Sequence, residues 1–198
     1  MPKNGILSAS YFNKCMTKGK RTESVMKVCY QKAMERAGWD AEMLEEIYGL
    51  EGIRQIDWGN EMEPIAIERY EAETMTTVHG RQVWEQRKTP SGTIIGCTTD
   101  GLVGTDGMIE VKCPDPINHV KNIIEGAQVS NYINQLQESL WVHDRQWCDF
   151  VSFDPRALEV KQYFKVRILA DEAIQSAIIE RADFMETEIK RIVEVLSK

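Results

Sequence analysis

The chain lacks long apolar runs, paired cysteines and internal repeats. No stretch among its 198 residues approaches the ~20 apolar residues that a membrane helix needs, and the N-terminal residues show no signal-peptide pattern. The five cysteines are scattered, odd in number and without a Cys-x-x-Cys pair, which argues against disulfides and against a zinc or iron–sulfur site. We therefore expect a cytoplasmic protein with reduced thiols and no membrane contact.

Positive charge is also scarce. The chain has 24 Lys and Arg against 31 Asp and Glu, so its net charge is −7. This global sum does not exclude nucleic-acid binding, because binding needs only a local basic patch. Single patches of this kind are more often ordinary solvated surfaces. Three are present: Lys14, Lys18, Lys20 and Arg21; Arg81, Arg87 and Lys88; Lys161, Lys165 and Arg167.

The apolar share of 42% and the charged share of 28% are typical of one globular domain, which we expect to span residues 1–198. Apolar periodicity and capping signals predict an α/β fold. The predicted helices are 8–18, 23–36, 60–74, 116–126, 130–142 and 171–196. The predicted strands are 76–87, 93–102, 108–113, 147–153 and 160–168.

A predicted β-hairpin carries the most informative residues. Glycines bracket a turn signal between two apolar runs, and Gly104 to Asp106 can form a three-residue loop. With that loop, Asp100 lies opposite Glu110 and Thr98 lies opposite Lys112. The hairpin thus brings two acids and an amine close together.

Strand alternation places Glu110 and Lys112 on the same face as Asp100, while Ile109 and Val111 point into a core. Like charges that face each other repel unless a cation lies between them. Hard carboxylate oxygens are the ligands that Mg²⁺ prefers. The pattern indicates a magnesium site, although a solvent-exposed hairpin with ordinary surface charges fits the spacing equally well.

Five blocks extend this pattern along the chain. They are Gly5-Ile6-Leu7-Ser8-Ala9-Ser10; Trp58-Gly59-Asn60-Glu61-Met62-Glu63-Pro64-Ile65-Ala66; Asp100 with Glu110-Val111-Lys112-Cys113-Pro114; Tyr132-Ile133-Asn134-Gln135-Leu136-Gln137 with Trp141-Val142; and Phe153-Asp154-Pro155. Asp100 with Glu110-x-Lys112 resembles the core of the PD-(D/E)xK nucleases, with Thr99 in place of the proline. The whole set resembles one branch of that superfamily, the lambda exonuclease and YqaJ-like viral recombinase family.

The resemblance implies a restriction-endonuclease-like core, in which helices flank a central mixed β-sheet. It also implies that Asp100, Glu110 and the Val111 carbonyl bind Mg²⁺, with two ions in each active site and Mn²⁺ as a possible substitute. Lys112 would then position or deprotonate the attacking water, since the pKa of lysine falls readily when the amine is desolvated.

Two helix residues have both a functional and a structural interpretation. Glu63 is in capping-box spacing with Asn60, and by resemblance it is an outer carboxylate that orders metal-bound water. Gln135 would ordinarily face solvent, but by resemblance it points into the active site, and Tyr132 lies one turn before it.

Hydroxyl residues near the N-terminus form a third candidate site. Ser8 and Ser10 open a helix, where a serine hydroxyl can accept a hydrogen bond from a free backbone N–H and cap the helix, or the free N–H groups can bind phosphate. In the family, this segment and the position of Thr98 bind a 5′-terminal phosphate. Lys3 lies near the position of a family arginine, and lysine lacks the bidentate fork of arginine.

The resemblance implies a Mg²⁺-dependent 5′→3′ exodeoxyribonuclease that acts on linear double-stranded DNA. It would leave a 3′ single-stranded overhang for a strand-annealing recombinase, in a phage or prophage recombination system in the bacterial cytoplasm. A homotrimeric ring around the DNA is implied as well. The alternatives are another PD-(D/E)xK endonuclease or flap nuclease, or a non-catalytic DNA-end-binding protein.

Overall fold

A computed structural model describes residues 5–40, 43–44, 53–125 and 129–198. The helices are α1 (Ala9–Cys15), α2 (Glu23–Arg36), α3 (Ile53–Thr74), α4 (Pro116–Glu125), α5 (Val129–Val142) and α6 (Glu172–Leu196). The strands are β1 (Leu7–Ser8), β2 (Val78–His79), β3 (Val83–Lys88), β4 (Ile94–Thr99), β5 (Gly101–Val103), β6 (Gly107–Lys112), β7 (Trp147–Phe153) and β8 (Tyr163–Leu169). Over these residues, none of the helices is both long enough and apolar enough to span a membrane.

The strands form two hydrogen-bonded sheets, in the orders β1-β4-β3 and β2-β5-β6-β7-β8. Each sheet is mixed, because β1 pairs with β4 and β6 pairs with β7 in parallel, while the other pairs are antiparallel. The predicted α/β class with mixed sheets and flanking helices is therefore confirmed. The very short strand β1 was not predicted from sequence.

The hairpin register is confirmed near the turn and wrong further from it. Val103 pairs with Gly107 and Gly101 with Ile109, as a three-residue loop requires. The predicted strand 93–102 is in fact broken at Asp100, and β4 pairs with β1 and β3 instead of β6. Thr98 consequently lies opposite Trp84, not opposite Lys112.

Helix α3 begins at Ile53, seven residues before the predicted start. Asn60 and Glu63 are therefore interior residues, and the capping-box prediction is wrong. Tertiary packing overrides the local capping signal here. The Trp58 ring, which lies before the predicted start of the helix, stacks on the Arg156 guanidinium and stabilises the additional helical turns.

The predicted strand 76–87 is also interrupted. A turn at Gly80 to Gln82 separates β2 from β3, with positive φ angles of 57° at Gly80 and 55° at Gln82. The bounds of α2 and β7 agree with prediction. Asp171 caps α6 as predicted, since its carboxylate accepts hydrogen bonds from the backbone N–H groups of Ala173 and Ile174.

Three buried clusters hold the layers together. Helix α3 covers one face of the five-stranded sheet, and α5 covers the other. The α3 cluster includes Ala66, Ile67, Ile109, Val111 and Val151; the α5 cluster includes Met108, Leu136, Leu140 and Phe150. The third cluster packs α1, α2 and α6 around β1 and β4, and includes Phe12, Cys29, Ile95, Met185 and Ile189.

Candidate active site

Asp100 lies in the gap between the two sheets. The Thr99 hydroxyl shapes this bend, because it accepts a hydrogen bond from the Gly101 N–H at 3.2 Å and lies 3.0 Å from the Gly101 carbonyl. Only glycine fits at 101, since a Cβ there would come within 2.2 Å of Val78 Cγ1. The bend directs Asp100 toward β6, and its Oδ2 accepts a hydrogen bond from the Val111 N–H at 2.7 Å.

Glu110 is the central carboxylate of the cluster and is only 3% exposed. Its Oε1 accepts hydrogen bonds from Lys112 Nζ at 2.6 Å and from Gln135 Nε2 at 2.7 Å. Ile109 and Val111 lie in the α3 cluster on the opposite face, so the predicted alternation along β6 is confirmed. The structure thus brings Asp100, Glu110, Lys112 and Gln135 together.

Lys112 is held as a cation. Burial, the largest single effect, favours the neutral amine, but the charges of Glu110 and Asp100 outweigh it and raise the pKa of Lys112 above its ordinary value. The Tyr132 ring lies 5.4 Å from Nζ and adds a cation–π contact. Tyr132 in turn stacks on Phe150 at 5.6 Å between ring centroids. The structure therefore places Tyr132 beside Lys112 in this cluster.

The oxygens of this centre fit a hard divalent cation. Asp100 Oδ1 and Glu110 Oε2 accept no hydrogen bond from any described residue, and are available as ligands. Burial and repulsion by Glu110 raise the pKa of Asp100 well above its ordinary value, so a nearby cation would stabilise the charged carboxylate. In the described ranges no three or more His, Cys, Asp and Glu side chains are grouped as metal ligands, so a cation at this centre would have only two carboxylate ligands. A cation here would use two carboxylates, a backbone carbonyl and water, as Mg²⁺ commonly does.

Asn13 orients Gln135 and was missed by the sequence reasoning. Its Nδ2 donates to Gln135 Oε1 at 3.3 Å, and its Oδ1 accepts from the Gln135 N–H at 3.0 Å. The first contact leaves the Gln135 amide nitrogen facing Glu110. No sequence signal marks Asn13, because α1 and α5 meet only in the folded chain.

Glu63 lies at the edge of the cluster. Its Oε1 accepts a hydrogen bond from Gln82 Nε2 at 2.8 Å, and the Gln82 N–H donates to the Thr99 carbonyl at 3.0 Å. Burial, together with the Glu63 and Asp100 charges, raises the pKa of Cys113 to about 12. Glu63 is thus near the centre without a direct hydrogen bond to Asp100. Gln82 was also missed, because its turn was predicted as strand.

Two of the hydroxyl residues, Ser8 and Thr98, lie on the three-stranded sheet, and Ser10 lies in the first turn of α1. Ser8 pairs with Gly96, two residues before Thr98 on β4, and its Oγ lies 3.5 Å from Ser10 Oγ. The predicted cap is correct in position, but the Ser8 side chain makes no capping hydrogen bond and α1 ends at Cys15, short of the predicted residue 18. Lys3 lies outside the described residues.

A family model named for the YqaJ-like viral recombinase domain matches residues 2–146. The chain belongs to the YqaJ-like viral recombinase family. No curated protein matches this YqaJ-like chain.

Solved structures similar to the YqaJ-like chain include an alkaline exonuclease (LHK-Exo) from Laribacter hongkongensis. Its identity is 32% and its TM-score is 0.83, over 98% of this chain and 93% of the other. Its complex with dAMP gives a TM-score of 0.80 at 32% identity, over 98% and 92% of the two chains. A phage-related exonuclease from Haemophilus somnus 129PT matches in fold, with a TM-score of 0.72 at 18% identity over 96% and 95%.

Family membership and the similarity to an alkaline exonuclease make the YqaJ-like chain a nuclease, a hydrolase with a PD-(D/E)xK-type fold. The two acids and the lysine of that pattern are the residues that the β5–β6 hairpin brings together with Gln135.

Proposed function

We propose that the chain is a Mg²⁺-dependent exodeoxyribonuclease that digests one strand of linear duplex DNA in the 5′→3′ direction. The cluster of Asp100, Glu110, Lys112 and Gln135 is the observation that supports this best. The 32% identical alkaline exonuclease, which was also solved with dAMP, supports a DNA substrate. The remaining 3′ single strand would be the substrate of a strand-annealing recombinase.

Asp100, Glu110 and the Val111 carbonyl would hold Mg²⁺, with two ions in each active site and Mn²⁺ as a substitute. A bound divalent cation supplies positive charge at the attacked phosphate and makes water more acidic. Two unpaired carboxylate oxygens in a buried, negatively charged cluster support this donor set.

The side chains of this chain would orient the reacting groups. Lys112, which pairs with Glu110 at 2.6 Å, would place a positive charge beside the attacked phosphate and position the water. Gln135 and Glu63 would orient the water from two sides. The two hydrogen bonds with Asn13 reduce the rotational freedom of Gln135 and support this positioning role.

The DNA end would bind beside the three-stranded sheet. Ser8, Ser10 and Thr98 would contact a 5′-terminal phosphate, Lys3 would add a charge, and Tyr132 would contact the terminal nucleotide. The Ser8–Ser10 contact and the position of Thr98 on the neighbouring strand support this assignment.

An apolar surface on α4 supports the proposal of a homotrimeric ring. This helix buries its polar residues His119 and Asn122, which both contact the Ser152 hydroxyl at 2.8 Å. Its apolar residues Ile117, Val120 and Ile124 are instead 69%, 49% and 76% exposed. Exposed apolar surface of this kind is typical of protein–protein contacts.

A ring with closed three-fold symmetry needs one such face to meet a different face of the next subunit. Light scattering should return three times 22.7 kDa at micromolar concentration. Ile124→Asp should shift the protein toward smaller species, whereas Lys121→Asp on the same helix is the matched control. A monomer in unmodified protein would contradict the ring.

The proposed setting is the cytoplasm of a bacterial host, in a phage or prophage recombination system. We also propose that residues 1–198 form one nuclease domain. The closing of β1 onto β4 and of α6 onto α2 within the described residues supports a single unit.

The decisive experiment compares DNA substrates. Linear duplex with a 5′-phosphate should be degraded to mononucleotides from the 5′ end in Mg²⁺, faster than the same duplex with a 5′-hydroxyl. Covalently closed circular duplex should stay intact. Cutting of circles would favour an endonuclease, and binding of ends without products would favour a DNA-end-binding protein.

The catalytic cluster is tested by Lys112→Ala. Cleavage should be lost while DNA binding remains, because a protonated lysine is not a metal ligand. Lys88→Ala, on the exposed end of β3, is the control and should keep full activity. Turnover by Lys112→Ala at the unmodified rate would contradict the proposed role.

A further inference from the structure

Arg156 follows the Phe153-Asp154-Pro155 block, and its guanidinium is held in place outside the catalytic cluster. The Asp154 carboxylate, 1% exposed, accepts from Arg156 Nε at 2.7 Å and from Nη2 at 3.1 Å. Nη2 also donates to the Pro114 carbonyl at 3.2 Å. The guanidinium lies 4.4 Å over the Trp58 ring, so one face and one edge of Arg156 are occupied.

No described residue occupies the opposite edge of this guanidinium. Nη1 donates no hydrogen bond to any residue that the structure describes, and 46% of the Arg156 side chain is exposed. A guanidinium held on one edge by a carboxylate and on one face by an indole loses little entropy when the free edge binds an oxyanion. Arg156 is therefore pre-organised to bind a second anion.

This cation lies beside the nuclease centre. Pro114 follows Lys112 by two residues, and Trp58 precedes Glu63 by five residues on α3. Cys113, which joins Lys112 to Pro114 in the chain, packs against the α3 cluster that includes Val111. The nuclease centre itself has more carboxylates than cations, so a DNA strand that approaches it needs positive charge nearby.

We propose that Arg156, supported by Asp154 and Trp58, contacts a backbone phosphate of the DNA strand next to the nuclease centre. This inference rests on the proposed function, since it requires DNA in that centre. The contact would be sequence-independent and would hold the strand in register for cleavage.

A second cluster on the same chain provides a matched control. Arg167 pairs with the fully buried Asp149 at 2.8 Å and 2.9 Å, lies 3.5 Å over the Trp147 ring, and is 47% exposed. Asp149 also accepts from the Tyr70 hydroxyl at 2.9 Å. Tyr70 is twelve residues beyond Trp58 on α3, or about 18 Å along the helix axis. The chemistry is thus the same, but the Asp149–Arg167 pair contacts α3 at Tyr70, beyond Glu63 and toward the C-terminal end of the helix.

The test measures duplex binding in a Lys112→Ala background, which prevents cleavage, over a range of salt concentrations. Arg156→Ala should weaken binding about tenfold and reduce the slope of log K against log salt by about 1, as the loss of one phosphate contact requires. Arg156→Lys should keep the slope and lose part of the affinity. Arg167→Ala should change neither quantity.

A paired variant guards against misfolding, because Arg156→Ala leaves the buried Asp154 charge uncompensated. The double variant Asp154→Asn, Arg156→Gln removes both charges, and Asp149→Asn, Arg167→Gln is its counterpart. Only the first pair should lose affinity and slope, with the same mass by light scattering as the parent.

Two results would overturn the proposal: an unchanged salt slope in both Arg156→Ala and the double variant Asp154→Asn, Arg156→Gln, or equal losses in Arg156→Ala and Arg167→Ala. If the Lys112→Ala parent binds no duplex at all, that result contradicts the proposed function itself and not only the role of Arg156.

Discussion

The bend at Asp100 gives the sharpest test of how the fold makes the active site, through Gly101→Ala. The added Cβ would lie 2.2 Å from Val78 Cγ1, which is far too close for two carbon atoms. It would also lie 3.3 Å from Ile109 Cγ2, which is tighter than most packed contacts. Val78 and Ile109 are buried, at 6% and 0% exposure, so neither can move into solvent. Overpacking of this kind typically costs about 1–3 kcal/mol.

The backbone can relieve the clash by moving Asp100 away from Val111. A misplacement of roughly 1 Å can lower a rate about 10²-fold. We expect Gly101→Ala to reduce kcat by about that factor and to lower Tm by roughly 2–4 °C for each kcal/mol lost. The measurements are kcat on linear duplex and thermal unfolding followed by circular dichroism.

A second-site change separates steric strain from other causes. Val78→Ala removes the methyl groups that the new Cβ would meet, so Gly101→Ala with Val78→Ala should recover much of the lost kcat. Gly59→Ala, where a Cβ meets nothing within 4 Å, is the control and should not lower the rate. An unchanged rate in Gly101→Ala, or no recovery in the double variant, would refute this steric reasoning.

Three further predictions concern polar side chains. Asn13→Ala should lower kcat about tenfold and Gln135→Ala about a hundredfold, because the loss of Asn13 lets the Gln135 amide rotate but does not remove it. Equal rates for the two variants in steady-state assays would contradict this. Burial favours the neutral form of Asp149, but hydrogen bonds from Arg167 and Tyr70 and the charge of Lys165 lower its pKa below the ordinary value. Its contribution to stability is therefore present above the ordinary Asp pKa and is lost as pH falls through the lowered folded value, so Asp149→Asn should flatten the acid side of the Tm–pH profile. Burial, with the Glu110 charge, raises the pKa of Glu138 well above its ordinary value, which favours the neutral acid. Because Gln is neutral and has nearly the same shape, Glu138→Gln should keep Tm within about 1–2 °C of the unmodified protein.

Much of the site was predictable because it depends on local geometry. The three-residue loop between Val103 and Gly107 sets the register of the hairpin, and strand alternation then decides that Glu110 and Lys112 share a face. Residues that contact one another across a tight turn can be deduced from spacing alone.

The supporting residues could not be deduced in this way. Asn13 reaches Gln135 across 122 positions, and Gln82 reaches Glu63 only because a turn with a positive φ angle replaces the predicted strand. Each partner is an ordinary polar residue in its own segment. Their contacts arise only when α1 packs on α5 and when β2 and β3 separate.

Local sequence was enough to predict the hairpin loop, the alternation of β6, the cap at Asp171, and the grouping of Glu110 and Lys112 beside Asp100. The tertiary structure alone decided where the chain breaks at Asp100, how far α3 extends, and which side chains orient Gln135 and Arg156. The physical reason is range. Turn geometry and strand alternation act between neighbours, whereas packing of α3 on the sheet and burial of Asp154 depend on residues far apart in the chain.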